Sequence, residues 1–166
     1  SRSLKGSIAL VTGAGSGMGK ATAEILAAEG AHVAVTDYDA ASAQAVADGI
    51  TAAGGSAVAW AFDVSDKDRI KAVVAEAAER FGGLDIVINN AGISASCPID
   101  DEDHYDLIWD RAVNVLLTSH QRIIRAALPH LRRSKAARIV NIASTEALGA
   151  TNRDSPYAAA KAGVTG

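Results

Sequence analysis

Short apolar runs alternate with helix-periodic stretches along this chain, and that alternation limits the possible fold more than any single residue does. An apolar run over 7–11 meets Thr12-Gly13, and a helical pattern over 17–29 follows, stopped by Gly30. Runs at 33–36, 57–62, 85–89 and 138–143 read as further strands. Helical patterns fill 40–53 and 67–81, closed by Gly54-Gly55 and Gly82-Gly83 as glycine closes helix ends. After a polar stretch at 100–106, a long helical pattern reaches about Leu131, and a last helix starts near Ser155-Pro156 and is still running at Gly166. Repeated strand–helix–strand units make right-handed crossovers and a parallel sheet with helices on both faces. The runs at 8–11 and 86–88 are apolar at every position, as strands covered on both faces are. The predicted fold is α/β, a doubly wound parallel sheet of Rossmann type, in a single domain over 1–166.

Composition narrows the function classes. With 49% hydrophobic and 21% charged residues, the 166-residue chain has enough apolar material for one packed core. A net charge of −3 leaves no basic surplus for phosphate backbones, so nucleic acid is not an expected partner. The lone cysteine, Cys97, has no partner for an internal disulfide, which fits a reducing compartment; a reactive thiol there is the lesser reading. No apolar run approaches the ~20 residues that span a bilayer. The first residues, Ser-Arg-Ser-Leu-Lys-Gly, lack the apolar stretch of a signal peptide. A cytoplasmic location and no membrane partner are the expectation.

The first strand runs directly into Thr12-Gly13-Ala14-Gly15-Ser16-Gly17-Met18-Gly19 and then a helix. Glycines in such a turn let the backbone approach a pyrophosphate, and the N–H groups and dipole of the following helix favour its charge. Gly13, Gly15, Ser16, Gly17, Met18 and Gly19 are therefore candidate cofactor contacts. No Gly-Lys-Ser/Thr follows, so this is not a Walker-type loop. Asp37 ends the second strand eighteen residues after Gly19. An acid there can accept hydrogen bonds from an adenosine ribose and repels a 2′-phosphate. Tyr38 and Asp39 beside it offer no compensating cation, which favours NAD over NADP. The plainer reading makes Asp37 a helix cap, although Asp39 is better placed for that.

Tyr157 and Lys161 stand four apart in a helical stretch and so face the same way. A phenol titrates near ~10 in water, and a neighbouring ammonium stabilises the phenolate. Such a pair can exchange a proton with an alcohol or carbonyl oxygen while hydride moves to or from a nicotinamide. Ser144 follows the fifth strand at its C-terminal end, the edge where open α/β sheets bind ligands. Its hydroxyl could hold a substrate oxygen or simply serve a turn.

Thr12-Gly13-x-x-x-Gly17-x-Gly19, Asn89-Asn90-Ala91-Gly92, Asn114, Ser144 and Tyr157-x-x-x-Lys161 occur here in the order and spacing of the short-chain dehydrogenases/reductases, and this chain resembles that family over nearly its whole length. The resemblance implies Tyr157 as acid/base, Lys161 as ribose contact and phenolate stabiliser, Ser144 as orienter of the substrate carbonyl, and Asn114 as holder of a water in a proton relay. It further implies that Asp63 and Val64 contact adenine, that Asn90, Ala91 and Gly92 line the cofactor cleft, and that no metal takes part. The helix over 106–131, with its apolar Leu116, Leu117, Ile123, Ile124, Ala127 and Leu128, and the helix from Ser155 match elements that pair between subunits, so a homodimer or homotetramer is expected. Two departures are visible. Leu116-Leu117 follow Asn114-Val115 where the family often has a glycine, and the chain ends five residues after Lys161, where family members continue into two more strands and a substrate loop. A sheet incomplete at its C-terminal side is therefore expected, from a fragment or a natural truncation.

The leading expectation is an NAD-dependent oxidoreductase acting on a secondary alcohol or ketone, a 3-oxoacyl thioester among the possible substrates. The alternative is a dinucleotide-binding module without turnover, such as a truncated pseudoenzyme. A methyltransferase also uses a glycine-rich first turn but has no call for Tyr157 and Lys161. The segment 145–154, with Glu146, Leu148, Asn152 and Arg153, is expected to line the substrate pocket.

Overall fold

The computed structural model describes residues 3–166. Five strands, β1 (Ile8–Thr12), β2 (His32–Asp37), β3 (Ser56–Ala61), β4 (Ile86–Asn89) and β5 (Arg138–Asn141), form one parallel sheet in the order β3-β2-β1-β4-β5. The doubly wound parallel architecture is as the alternation predicts. β1 and β4 are buried at every position, and both lie inside the sheet. The edge strand β5 is exposed throughout.

The pleat sends alternate residues to opposite faces, and each face has its own core. Leu10, Ala34 and Val87 meet α3 (Lys67–Phe81) through Ile70, Val73, Val74 and Ala77, and meet α5 (Ser119–Leu131) through Ile123, Ala127 and Leu131. Ala9, Val11, Val33, Val35, Ile86 and Ile88 meet α1 (Gly17–Ala28) and α2 (Ala40–Ala52) on the other face. α1 lies close to the sheet because its inward positions are the small Gly19, Ala23 and Ala27. Each large aliphatic side chain fully buried here contributes about 1.5–3 kcal/mol. No helix among the described residues is long and apolar enough to cross a membrane.

The predicted long helix is not continuous. It consists of α4 (Tyr105–Val113), a π-helical turn over Asn114–Thr118, and α5. A π-turn adds a residue to one turn and re-aims every side chain after it. Leu116, fully buried, packs with Ala95, Ala112 and Ala160 of α6 (Ser155–Thr165). Leu117 fits beside it because α6 presents Gly163, where an added Cβ would stand 2.6 Å from Leu117 Cδ2. The missing glycine in the π-turn is thus offset by a glycine on the neighbouring helix. Ile124 and Leu128 are half-buried, so packing within the chain already absorbs much of the apolar surface of α5.

Candidate functional site

The sheet order reverses direction between β1 and β4, and a cleft of about 910 Å³ opens over their C-terminal ends. Gly13, Ser16, Gly17, Met18, Gly19, Asp37, Asp63, Val64, Asn90, Ala91 and Gly92, all nominated from the sequence, line it together; Gly15 hydrogen-bonds to Asp37 beside them. Thr12 ties the two central turns. Its hydroxyl accepts from the N–H groups of Asn90 and Ala91, each at 3.0 Å, and Asn90 Nδ2 donates to the carbonyls of Thr12 at 2.9 Å and Gly13 at 3.2 Å. Ser16 stands at the N-cap of α1 without a side-chain capping bond, and no acid occupies that helix's first turn. The helix therefore presents unsatisfied N–H donors to the cleft.

Asp37 and Asp39 divide the two roles open to them. Asp39 caps α2, accepting from Ala41 N at 2.9 Å and from the Ser42 hydroxyl at 2.7 Å. Those bonds hold its carboxyl below the usual carboxylate range, the Ser42 hydroxyl foremost. Asp37 accepts instead from Gly15 N at 2.9 Å and Asp39 N at 3.0 Å, so it braces the glycine turn while its carboxylate faces the cleft.

A second cavity of about 460 Å³ adjoins the first, sharing Met18, Asn90, Gly92 and Ile93 with it, and is also lined by Tyr157, Lys161, Ile142, Ala143 and Asp154. Lys161 is 3% exposed; its Nζ donates to Ile142 O at 2.6 Å and lies 5.8 Å from the Tyr157 ring centroid. Burial lowers the lysine from its usual range. Ser144 follows Ile142 and Ala143 at the strand end, with its hydroxyl accepting from Glu146 N at 3.2 Å.

Asn114 lies on the wall of the first cleft, whereas Tyr157 and Lys161 line the adjoining cavity. Asn114 Oδ1 accepts from Arg122 at 2.9 Å; the same guanidinium nitrogen donates to Ser65 O at 3.2 Å. Within the π-turn, Leu116 is the side chain that packs beside Gly92 and Ala160. Of segment 145–154 only Asp154 reaches the second cavity. Glu146 closes its own loop on Thr151 through bonds of 2.7 and 2.8 Å, and Leu148 points to solvent. Arg153 adopts a left-handed φ of 68° while its carbonyl accepts from Cys97 N at 2.7 Å. Cys97 is buried, and burial with the Asp101 carboxylate pushes its thiol up, which argues against a reactive role.

Arg122 and His120 escaped the sequence reading. Arg122 lies eight residues from Asn114, about 12 Å along a regular helix, outside the i+3 and i+4 spacings that nominate partners. His120 is 5% exposed on α5, and neither ring nitrogen has a partner. Burial first, then the Lys161 ammonium, holds its imidazole down at about 4. The folded chain thus keeps this group neutral while the unfolded chain protonates it near ~6.5, so its stabilisation is complete above that pH and is lost as pH falls toward 4. Urea unfolding at neutral pH and at the acid end of that window should differ by roughly 3 kcal/mol on this account. In His120→Leu that share of the difference should vanish; an unchanged acid dependence would contradict it.

The family described as short chain dehydrogenase matches residues 7–166. D-beta-hydroxybutyrate dehydrogenase of Cupriavidus necator is 40% identical over 168 residues, covering 98% of this chain and 62% of the relative. A 3-oxoacyl-[acyl-carrier-protein] reductase of Thermotoga maritima is 32% identical over 163 residues, with 98% and 65% covered. Among solved structures, a 7α-hydroxysteroid dehydrogenase complexed with NADH and 7-oxo glycochenodeoxycholic acid superimposes with a TM-score of 0.91 at 31% identity, over 96% of this chain and 61% of that one. The chain thus spans less than two thirds of the length of these relatives.

Proposed function

The chain belongs to the short-chain dehydrogenase/reductase family, and from that premise we propose that the whole protein is an oxidoreductase moving a hydride between NAD(H) and a secondary alcohol or ketone. The observation that carries this reading is the continuity of the two cavities: the glycine-turn cleft shares Met18, Asn90 and Gly92 with the cavity that Tyr157 and Lys161 line. The cradle suits a dinucleotide, since Gly17 leaves open space where a side chain would stand and the first N–H groups of α1 have no side-chain cap. Asp63 and Val64 lie at the adenine end, and Gly13–Gly19 takes the pyrophosphate at the open N-terminus of α1. When bound, the nicotinamide supplies or accepts the hydride. Tyr157 exchanges the proton with the substrate oxygen, Lys161 stabilises the phenolate and holds the ribose, and Ser144 orients the substrate carbonyl. Asn114, with Arg122, braces the cleft wall.

A hydroxybutyrate, a 3-oxoacyl chain and a 7-oxo steroid, named for the relatives, all pair a secondary alcohol with a ketone, and that is the substrate class proposed here. A cytoplasmic location and assembly as a homodimer or homotetramer belong to the same proposal. Turnover of the full-length protein with a panel of secondary alcohols, followed by cofactor absorbance, tests it. A folded protein that binds dinucleotide and is inactive on the whole panel would favour the binding-module reading.

Cofactor choice follows from Asp37. Its carboxylate lines the cleft where an adenosine ribose would lie, and Tyr38 and Asp39 beside it carry no positive charge, so a 2′-phosphate would meet like charge. NADH should bind at least tenfold more tightly than NADPH by fluorescence titration. Asp37→Ala combined with Tyr38→Arg should narrow or reverse that ratio. Equal affinities in the unaltered protein would end this assignment.

A further inference from the structure

The cavity that Tyr157 and Lys161 line also contains an acid with no task in the fold. Asp154 stands half-buried at the N-cap of α6 and lines that cavity. An aspartate at an N-cap ordinarily accepts from the backbone N–H two or three residues on. Two residues on is Pro156, which has no N–H, and the side chain makes no capping bond to Tyr157 N either. Among the described residues the Asp154 carboxylate has no hydrogen bond and no ion pair. The neighbouring Arg153 is exposed and forms no salt bridge.

The backbone around this free side chain is held from both sides. Asp154 N donates to Thr151 O at 3.1 Å, and Asp154 O accepts from Ala158 N at 2.8 Å. The carbonyl before it, on Arg153, accepts from Cys97 N at 2.7 Å and from the Ser96 hydroxyl at 3.3 Å. The hydroxyl after it, on Ser155, lies 2.9 Å from that of Tyr105. Arg153 itself takes a φ of 68°, which a residue other than glycine keeps only where its surroundings impose it. The turn is thus fixed against the loop after β4 and the start of α4, and it keeps Asp154 at the cavity wall.

Only two charged residues line this cavity, Asp154 and Lys161. Lys161 is 3% exposed, with its Nζ on Ile142 O, so the half-buried acid is the charge open to a ligand. We propose that Asp154 selects the charge of the substrate: the alcohol or ketone that this cavity takes carries an ammonium group close to the reacting carbon, and a substrate with a carboxylate there is repelled. The side chains at an N-cap and three residues on are neighbours on the first turn of a helix, with Cβ atoms about 5–6 Å apart. That span fits an amine one or two carbons from the carbinol, able to reach Asp154 while the oxygen meets Tyr157. An N–H donor on a cation bonds a carboxylate more strongly than a neutral donor does, and a carboxylate brought to the same place meets like charge. This inference rests on the role proposed above for Tyr157 and narrows the substrate class proposed with it.

The test uses the full-length protein with NAD and three probes of one skeleton: isopropanolamine, the uncharged sec-butanol, and β-hydroxybutyrate. At neutral pH kcat/KM should fall in that order, by about tenfold at each step. In Asp154→Asn the three values should converge, and in Asp154→Lys the order should reverse. Asp154→Asn keeps the shape of the side chain and removes no hydrogen bond, so it should melt with wild type. Equal values for the three probes, or an unchanged order in Asp154→Asn, would overturn the proposal. Turnover of none of them would instead count against the functional reading. The affinities of the three probes for the protein–NADH complex, read by calorimetry, would then still follow the same order or refute the role of Asp154.

Discussion

Tyr157→Phe should lower turnover by ~10²–10⁴-fold, the range general acid–base catalysis contributes, and leave dinucleotide affinity close to wild type. The substitution removes one hydroxyl and keeps the ring, so the half-buried packing of Tyr157 against the Ala95–Leu116–Ala160 cluster survives. The glycine turn and Asp37 lie outside the change, so the cradle proposed for the pyrophosphate and ribose stays intact. Lys161→Ala should behave differently. It removes the proposed ribose contact and the charge beside the phenol, and it strips Ile142 O of its 2.6 Å partner, so affinity, turnover and stability should fall together. Ser144→Ala should cost turnover with little effect on cofactor affinity, apart from loosening the turn that Ser144 caps through Glu146 N. Absorbance of the reduced cofactor reads turnover, and fluorescence titration reads affinity. If Tyr157→Phe keeps near wild-type turnover, the acid/base lies elsewhere.

The parts of this molecule that depend on local pattern were legible in the sequence. Unbroken apolar runs mark β1 and β4 because strands covered on both faces have no polar side to alternate with. The turn 13–19 is legible because its glycines answer a backbone need: Gly13 and Gly17 take positive φ, and Gly19 comes against the Gly13 carbonyl. Asp39 over Asp37 as the α2 cap follows from its position immediately before Ala40. What was not legible depends on one inserted residue of helical register. The helical pattern reads as one helix to about Leu131, whereas a π-turn over Asn114–Thr118 interrupts it, burying Leu116 and leaving Asn114 to accept from Arg122. Nothing in Asn-Val-Leu-Leu-Thr announces such a turn, since it is stabilised by contacts with α6 and the Gly92 loop that are remote in sequence. His120 was equally hidden. A histidine in a helix reads as surface until the tertiary packing shows its face turned to the sheet.

Gly19→Ala should abolish dinucleotide binding and destabilise the fold by more than about 4 kcal/mol, a range reached only by severe steric or burial faults. The added Cβ would overlap the Gly13 carbonyl oxygen and stand 2.5 Å from Asn90 Nδ2. Neither neighbour can yield cheaply. Gly13 is itself pressed against the backbone of Ala91, and Asn90 Nδ2 is the donor that joins the β1 and β4 turns. Relief would require α1 to lift from the sheet, which would expose Ala23 and Ala27 and carry away the N–H donors proposed to hold the pyrophosphate. Two other glycines separate this effect from the general cost of substituting glycine. Gly17 has open space around its Cβ direction and a φ of 51°, so Gly17→Ala should cost only the ~1–2 kcal/mol of a left-handed residue. Gly49 lies exposed in α2 with open space and no positive φ, so Gly49→Ala should stabilise the protein by roughly 0.4–1 kcal/mol. Chemical denaturation and NADH titration of the three variants should therefore rank Gly49→Ala above wild type, Gly17→Ala modestly below it, and Gly19→Ala far below both. A Gly19→Ala protein that folds and binds NADH normally would show that the approach of α1 to the first turn is not what forms the cradle.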